Sequence, residues 1–335
     1  MDPLSHALLG ASVSGFFAKK NELRRAISMG ALAAMAPDLD VVIRSKQNPL
    51  LWIEYHRHFT HSLLFVPLGA LICAFVFWLF LRKKMSFGRI YFFSFLGYLT
   101  HGFLDACTSY GTLLLWPFSY LRVAWDNIGI IDLLYTLPLL ACVIAASRVK
   151  RKTFIQVGLV ISFAYLLFGV YQHHRAENLA LKLIESRSQQ AERLQIKPTV
   201  LNLFLWRSIY EYEGRYYVDA LRSGPFLEDK IYEGNSVAKY DWQSEIQKLP
   251  ANSILAKDIR IFAWFSGGLL YQSPEDPRLI ADLRYSPLPQ QSIPLWGIVV
   301  DPEKPNEHVF LKNFRKIQEK SFSTFFKMLK GEDLN

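Results

Sequence analysis

The stretch SLLFVPLGALICAFVFWLFL, Ser62–Leu81, runs for twenty residues without a charge. That is the length an α-helix needs to cross about 30 Å of hydrocarbon, and the core helix of a soluble protein rarely stays uncharged for so long. Pro67 and Gly69 near its start are tolerated in a spanning helix. Outward from it, further apolar segments lie at about 4–18, 26–43, 90–107, 129–147 and 153–171. Together they predict a polytopic α-helical membrane domain of six spanning or near-spanning helices over residues 1–172. The first segment is short for a full crossing. The second carries Pro37-Asp38-Leu39-Asp40 near its end, where proline disfavours helix at the residue before it.

The second half, 173–335, has a different texture. Tyr210–Val218, Ile259–Trp264 and Trp296–Val300 alternate aromatic and charged residues between Gly, Pro and Asn, and read as strands. A polar helical connector at about 175–195 precedes them and a basic helix-like tail at about 310–330 follows. The expectation is a small extracytoplasmic α+β domain. Cys73, Cys107 and Cys142 all lie in apolar segments, which supports neither a disulfide framework nor a cysteine zinc site. Met1-Asp2-Pro3 lacks the basic n-region and cleavage site of a signal peptide, so the N-terminus is expected to stay on the mature protein.

The formal charge of +9 invites a nucleic-acid reading, but topology explains it better. Basic residues cluster in Lys19–Arg25, in Arg82-Lys83-Lys84 and in Arg148–Lys152, which are alternate loops. The positive-inside rule turns all three to the cytoplasm. No nucleic-acid partner is expected. On that topology His6, Asp38, Asp40, His56, His58, His61, His101, Asp105, Asp126 and Asp132 all collect at non-cytoplasmic ends. Such residues inside hydrocarbon are functional candidates by default, facing a cavity or a partner.

His101 and Asp105, four apart on a predicted helix, share a face and can ligate one ion. The pair alone reads equally well as a hydrogen bond that staples helices. Three imidazoles in His56-Arg57-His58-Phe59-Thr60-His61 point to metal, with His61 a ligand, His56 a ligand or its neighbour, and Arg57 suited to clamp a phosphate or carboxylate. Of Asp38 and Asp40 one should be a ligand, the bland alternative being a helix cap. His6 gains rank from its predicted depth. Asp126 and Asp132 flank the start of the fifth segment, where capping and proton transfer compete as roles. Mixed His and carboxylate ligation suits zinc first and manganese second, and such an ion brings a bound water near neutral pKa. No serine or cysteine nucleophile is evident.

At Met1–Gly10, Pro37-Asp38-Leu39-Asp40, His56–Ser62 and His101-Gly102-Phe103-Leu104-Asp105, continuing through Thr108–Gly111, Pro117-Phe118 and Ile131-Asp132, the chain resembles the YdjM-like family of bacterial inner-membrane metal-dependent hydrolases. The resemblance covers about the first half, with a weaker likeness around Leu205-Trp206-Arg207. His58 stands where that family tends to a small residue, so the resemblance gives it no ligand role. The order His, Asp, His, His-x-x-x-Asp is also similar to part of the metal-ligand order of zinc-dependent phospholipase C and the single-strand nucleases. That likeness implies His6, Asp38 or Asp40, His61, His101 and Asp105 as ligands, with Asp2 nearby. The later histidines of those enzymes have no counterpart here, which leaves one or two ions.

The function expected is therefore a multi-pass inner-membrane hydrolase, a phosphoesterase or esterase. Metal-bound water at the extracytoplasmic interface would attack a lipid or lipid-linked substrate, Arg57 would hold the anion, and Asp126 or Asp132 would move a proton. Two rival classes stay open. One is a metal or proton transporter using the same residues as a pathway, and the other is a structural or assembly protein with a metal-stapled bundle. Bond cleaved, head group and oligomeric state are not encoded legibly.

Overall fold

A computed structural model describes residues 1–314 and 319–334. The chain divides into two compact units. The first comprises Met1–Val42, Tyr55–Val170 and Val200–Asn202, and the second Ile43–Glu54, Tyr171–Thr199 and Leu203–Asn335.

In chain order the helices are α1 (Pro3–Phe16), α2 (Leu23–Met35), α3 (Leu51–Tyr55), α4 (Val66–Leu81), α5 (Phe87–Ala106), α6 (Leu133–Val149) and α7 (Lys152–Ser186), with 3-10 turns at Pro37–Val42 and Phe59–His61. Local chemistry sets several of their ends. Asp2 caps α1 by accepting from the Ser5 backbone N–H at 3.0 Å, with Pro3 in the first turn where its missing N–H does no harm. Asp132 caps α6 by accepting from the backbone N–H groups of Leu134 and Tyr135. Pro67 likewise lies in the first turn of α4.

The first unit is organised around a crossing of α1, α2 and α5 at three glycines. A Cβ on Gly30 would come within 2.3 Å of the Gly10 carbonyl oxygen, and a Cβ on Gly97 within 2.3 Å of the Gly30 carbonyl oxygen. Neither leaves room for a side chain, so the three backbones touch directly. Leu8, Ala11, Ala26, Ile27, Phe93 and Ile90 pack around the crossing as buried core. At the far end of α5, Arg89 donates to Glu22 at 2.7 Å and ties α5 to the start of α2.

The six-span expectation is corrected here. Among the described residues one helix, α7, is long and apolar enough to cross a membrane. A second is reached only by counting Leu51–His61 and Val66–Leu81 as one broken span, and those pieces are bent by 86°. The apolar runs break into helices of 14, 13, 16 and 17 residues for α1, α2, α4 and α6. At 1.5 Å per residue these reach roughly 20–26 Å, short of hydrocarbon thickness. The 20-residue α5 is long enough but carries Arg89, Ser94, Thr100, His101 and Asp105. Hydropathy summed along the chain did not register that Pro37 and the turn before α4 end these helices. With one span, counting alternate loops no longer assigns the His and Asp residues a side. On α7 itself Val157, Val160, Ile161, Phe163 and Leu167 are exposed.

The second unit is built on two antiparallel sheets rather than on the mixed α+β arrangement expected. Strands β1 (Arg193–Pro198), β2 (Leu205–Tyr212), β3 (Arg215–Gly224) and β4 (Leu227–Tyr232) lie in that order, and β5 (Ser236–Ala238) pairs with β3. The β2–β3 register, Ile209 opposite Val218 and Tyr212 opposite Arg215, closes through Glu213 and Gly214, both at positive φ as a tight hairpin requires. The other sheet orders β6 (Leu270–Gln272), β7 (Leu279–Asp282), β8 (Trp296–Val299) and β9 (Phe310–Asn313). Helices α8 (Trp242–Gln247), α9 (Ile254–Phe265) and α10 (Glu319–Lys330) complete it. Ile259–Trp264, expected as a strand, is helix within α9. Ser253 caps that helix, and Leu255, Ile259, Phe262 and Ala263 recur at helical spacing on its buried side. The expected tail at 310–330 resolves into β9 and α10; residues 315–318 lie outside the described residues.

Arg207 is buried and donates to the carbonyls of Leu283, Pro289 and Gln291 at 2.6–2.8 Å. Two substitutions test this architecture. Gly97→Val should lower unfolding stability by about 3 kcal/mol through overpacking, whereas Gly88→Ala, with nothing within 4 Å of its position, should be neutral or stabilising; equal melting temperatures for both would refute the crossing. Arg207→Met should destabilise by about 3 kcal/mol in denaturant unfolding, because three buried carbonyls lose their donor.

Candidate metal centre

Three of the elements just described deliver four ligand atoms to one point. The 3-10 turn after α2 brings Asp38, the 3-10 turn Phe59–His61 brings His61, and α5 brings His101 and Asp105. Their donor atoms all lie within 4.8 Å of one another. The Nε2 atoms of His61 and His101 are 2.9 Å apart. Asp38 Oδ1 is 3.5 Å from each, and Asp105 Oδ2 is 3.3 Å from His61 Nε2 and 3.4 Å from His101 Nε2. Bonds of about 2.0–2.1 Å in a tetrahedron put neighbouring ligand atoms roughly 3.3 Å apart, so these five edges fit a zinc-sized ion. Asp105 Oδ2 is fully buried and makes no hydrogen bond among the described residues, an acceptor aimed at the same point.

The imidazoles are held for that task. His101 Nδ1 donates to the Ala34 carbonyl, which leaves Nε2 facing the cluster. Thr60 donates its hydroxyl to Asp40 Oδ2 at 2.9 Å and so accepts from His61 Nδ1 at 3.0 Å, with Asp40 Oδ2 itself 3.3 Å from that nitrogen. A metal-binding histidine typically gives its other N–H to a carbonyl or carboxylate in this way.

The two aspartates of the turn thereby separate. In a 3-10 helix residues two apart point in well-separated directions. Asp38 faces the Nε2 atoms and keeps 24% of its side chain exposed. Asp40 is buried and accepts from His56 Nδ1 at 2.7 Å and from the Arg57 backbone N–H at 3.0 Å as well as from Thr60. Asp38, Asp40 and His56 also form a second group of potential donors.

His6 sits behind the cluster, its ring stacked on His101 at 3.8 Å and its Nε2 3.1 Å from Asp105 Oδ1. Arg57, at a left-handed φ of 63°, points its Nη2 at the same Oδ1, 3.1 Å away, donates Nη1 to Thr108 and lies over the Tyr110 ring. The Met1 nitrogen also meets that oxygen. Asp132 is taken up as the α6 cap and by the Tyr165 hydroxyl, which donates at 2.9 Å. Asp126 lies in the loop before α6, at a left-handed φ of 55°. The structure thus brings His6, Asp38, Asp40, His56, Arg57, His61, His101 and Asp105 together, and leaves Asp132 and Asp126 outside the four-donor group. His58 packs instead against Trp116 and Tyr120. Thr60 and the Ala34 carbonyl escaped the sequence reading. Thr60 lies inside the His56–His61 motif, where its position was a usable signal; a backbone carbonyl gives none.

Burial opposes charge throughout, yet hydrogen bonding wins. Burial raises the Asp38 and Asp40 carboxyl pKa values, but hydrogen bonds from His101 and His61 to the first, and from His56 and His61 to the second, hold both well below the usual carboxylate range. Burial lowers the His61 pKa, but Asp105, Asp38 and Asp40 outweigh it and push it up to about 10. The meeting point of the Nε2 atoms therefore favours positive charge. With neutral imidazoles, as ligation requires, Asp38, Asp40 and Asp105 still outnumber the two cations that meet Asp105 Oδ1, the Arg57 guanidinium and the Met1 ammonium, and a bound cation offsets the excess.

A protein-family model described as YdjM inner membrane protein matches residues 1–176. The chain is also 26% identical over 233 residues to a Bacillus subtilis (strain 168) protein described as Uncharacterized protein YfhP, a match covering 67% of this chain and 69% of that one. No solved structure matches.

Elemental analysis of the purified full chain should find zinc or manganese that His101→Ala and Asp105→Ala lose while remaining folded. Asp40→Asn should weaken affinity by about 10–100-fold through loss of orientation, and retention of full affinity in that variant would remove its positioning role. Because His61 titrates near pH 10 without metal, the ion displaces a proton from it over pH 6–9. Apparent affinity should rise about tenfold per pH unit there, with about one proton released in calorimetry across buffers of different ionisation enthalpy; a flat profile would contradict the raised His61 pKa.

Proposed function

The chain belongs to the YdjM inner membrane protein family, and from that premise we propose that its His–Asp cluster is the centre of a membrane metal-dependent hydrolase acting on an ester or phosphoester of a lipid or lipid-linked substrate. The observation that carries the reading is the convergence of Asp38, His61, His101 and Asp105 from three separate elements, with donor spacings suited to one divalent ion. The ion would supply Lewis acidity, polarising a carbonyl or phosphoryl oxygen and bringing water into range as a nucleophile near neutral pH.

The remaining roles fall to the chain. His61 and His101 are held through Nδ1, so their ring orientation survives substrate binding. Arg57 and His6 share Asp105 Oδ1 and keep that carboxylate turned with Oδ2 toward the cluster. His56 is the group placed to carry a proton. Its Nδ1 is tied to Asp40, its side chain is 17% exposed, and its ring lies 6.0 Å from that of His61. A carboxylate-oriented imidazole at the accessible edge of a site is the usual arrangement of a general base. The lipid class is supported by the turn that carries Asp38 and Asp40, where Leu39 is 66% and Val42 77% exposed. An acyl chain could lie on these side chains while its ester reaches Asp38. Zinc is the first choice of metal and manganese the second.

The test is hydrolysis of chromogenic esters, phosphodiesters and a phospholipid panel by metal-loaded protein in bilayer discs. His56→Gln is expected to lower kcat by about 10²–10⁴-fold with metal retained, and His101→Ala to lose metal and activity together. No hydrolysis of any substrate by fully loaded protein would defeat the reading, and unfolding of His101→Ala on metal loss would mark the ion as a staple. Two ions per chain would place the second on Asp38, Asp40 and His56 and remove His56 as proton carrier.

A further inference from the structure

At the other end of the α1–α2 pair, the loop between them and the end of α6 border an open cavity of about 460 Å³ lined by Lys20, Asn21, Arg24, Arg25 and Lys150. Its lining contains four cations, one amide and no acid. The single acid of the loop, Glu22, is turned away to accept from Arg89 and from the Lys19 backbone N–H. Two features fix the cavity's shape. Arg24 donates Nε to the Ser147 carbonyl at 2.7 Å, joining the loop to the end of α6. Lys150 adopts a left-handed conformation, φ 57°, as the C-cap of α6, its N–H bonded to the Ala146 carbonyl. The loop and the α6 end, far apart in sequence, thus line one concavity.

We propose that this cavity binds the phosphate of an anionic phospholipid head group. The phosphate chemistry follows from the donor set, since arginine and lysine with no competing carboxylate are the groups that recognise phosphate oxygens. The lipid source follows from position. α7 begins at Lys152, two residues beyond Lys150, and its exposed Val157, Val160 and Ile161 follow within about two turns. The cavity therefore sits at the start of the one helix among the described residues that is both long and apolar enough to cross a bilayer, at the level where phosphates lie. The inference stands apart from the metal centre and uses none of its residues.

The experiment is binding of short-chain phosphatidylglycerol, phosphatidylcholine and glycerol 3-phosphate to the full chain in neutral detergent, read by native mass spectrometry and by thermal shift. Each basic side chain near an anionic surface contributes roughly fivefold, so the wild type should prefer phosphatidylglycerol over phosphatidylcholine by more than tenfold. The triple variant Lys20→Gln, Arg25→Gln, Lys150→Gln should abolish that preference; Arg24 is left intact because it holds the loop. The charge-matched control Arg82→Gln, Lys83→Gln, Lys84→Gln should retain it. Equal binding of the two lipids, or equal loss in both triple variants, overturns the proposal as diffuse charge. Glycerol 3-phosphate binding as tightly as phosphatidylglycerol overturns the lipid as source.

Discussion

The direct contact of three helix backbones at Gly10, Gly30 and Gly97 is the constraint on which the rest of the first unit depends. Helices carrying side chains at a crossing usually keep axes 8–10 Å apart. Here no side chain intervenes, and the neighbouring turns inherit the closeness. His6 lies one turn from Gly10, His101 one turn from Gly97, and Asp38 follows the end of the helix that contains Gly30. Imidazole and carboxylate side chains are short, so they can share one ion only if their backbones are already near.

What the crossing brings together would be unfavourable without a counterion or a proton. Several carboxylates and imidazoles sit almost without solvent, and an isolated charge in such a place carries a heavy desolvation penalty. The observed network answers by dividing labour. Asp40 spends its oxygens on His56, Thr60 and the Arg57 N–H, and so becomes a fixed support. Asp38, two residues on in the opposite sense, keeps an oxygen for the Nε2 atoms and the surface.

The membrane character is expressed differently from what apolar runs suggest. Among the described residues one helix, α7, has the length and composition of a span, while the shorter apolar helices pack around the glycine crossing or expose apolar faces, as α4 does at Leu68, Ile72, Phe75 and Leu79. Hydropathy measures how apolar a stretch is, and a helix break within it is nearly invisible to that measure. At 62–81 the break falls before Pro67, and the residues before it turn through 86°. The misreading of Ile259–Trp264 has a related cause: six residues of mixed aromatic and aliphatic character satisfy both strand and helix periods, and the capping Ser253 decided for helix.

The sequence by itself determined the residue types and their clustering. Three histidines in His56–His61, the His101/Asp105 pair at helical spacing, two aspartates after Pro37 and the basic loops are visible as composition and local period. Local period also marked strand character at Tyr210–Val218 and at β8, but not the Glu213–Gly214 turn that divides the first stretch between β2 and β3. Only tertiary structure decided which of these meet. That Asp38 rather than Asp40 faces the Nε2 atoms, that His61 is oriented through Thr60 and Asp40, that a backbone carbonyl of α2 holds His101, and that Asp132 is consumed as a cap all depend on contacts between distant segments. Those contacts arise from backbone proximity and hydrogen-bond competition across separate elements, and no spacing along one chain segment encodes them.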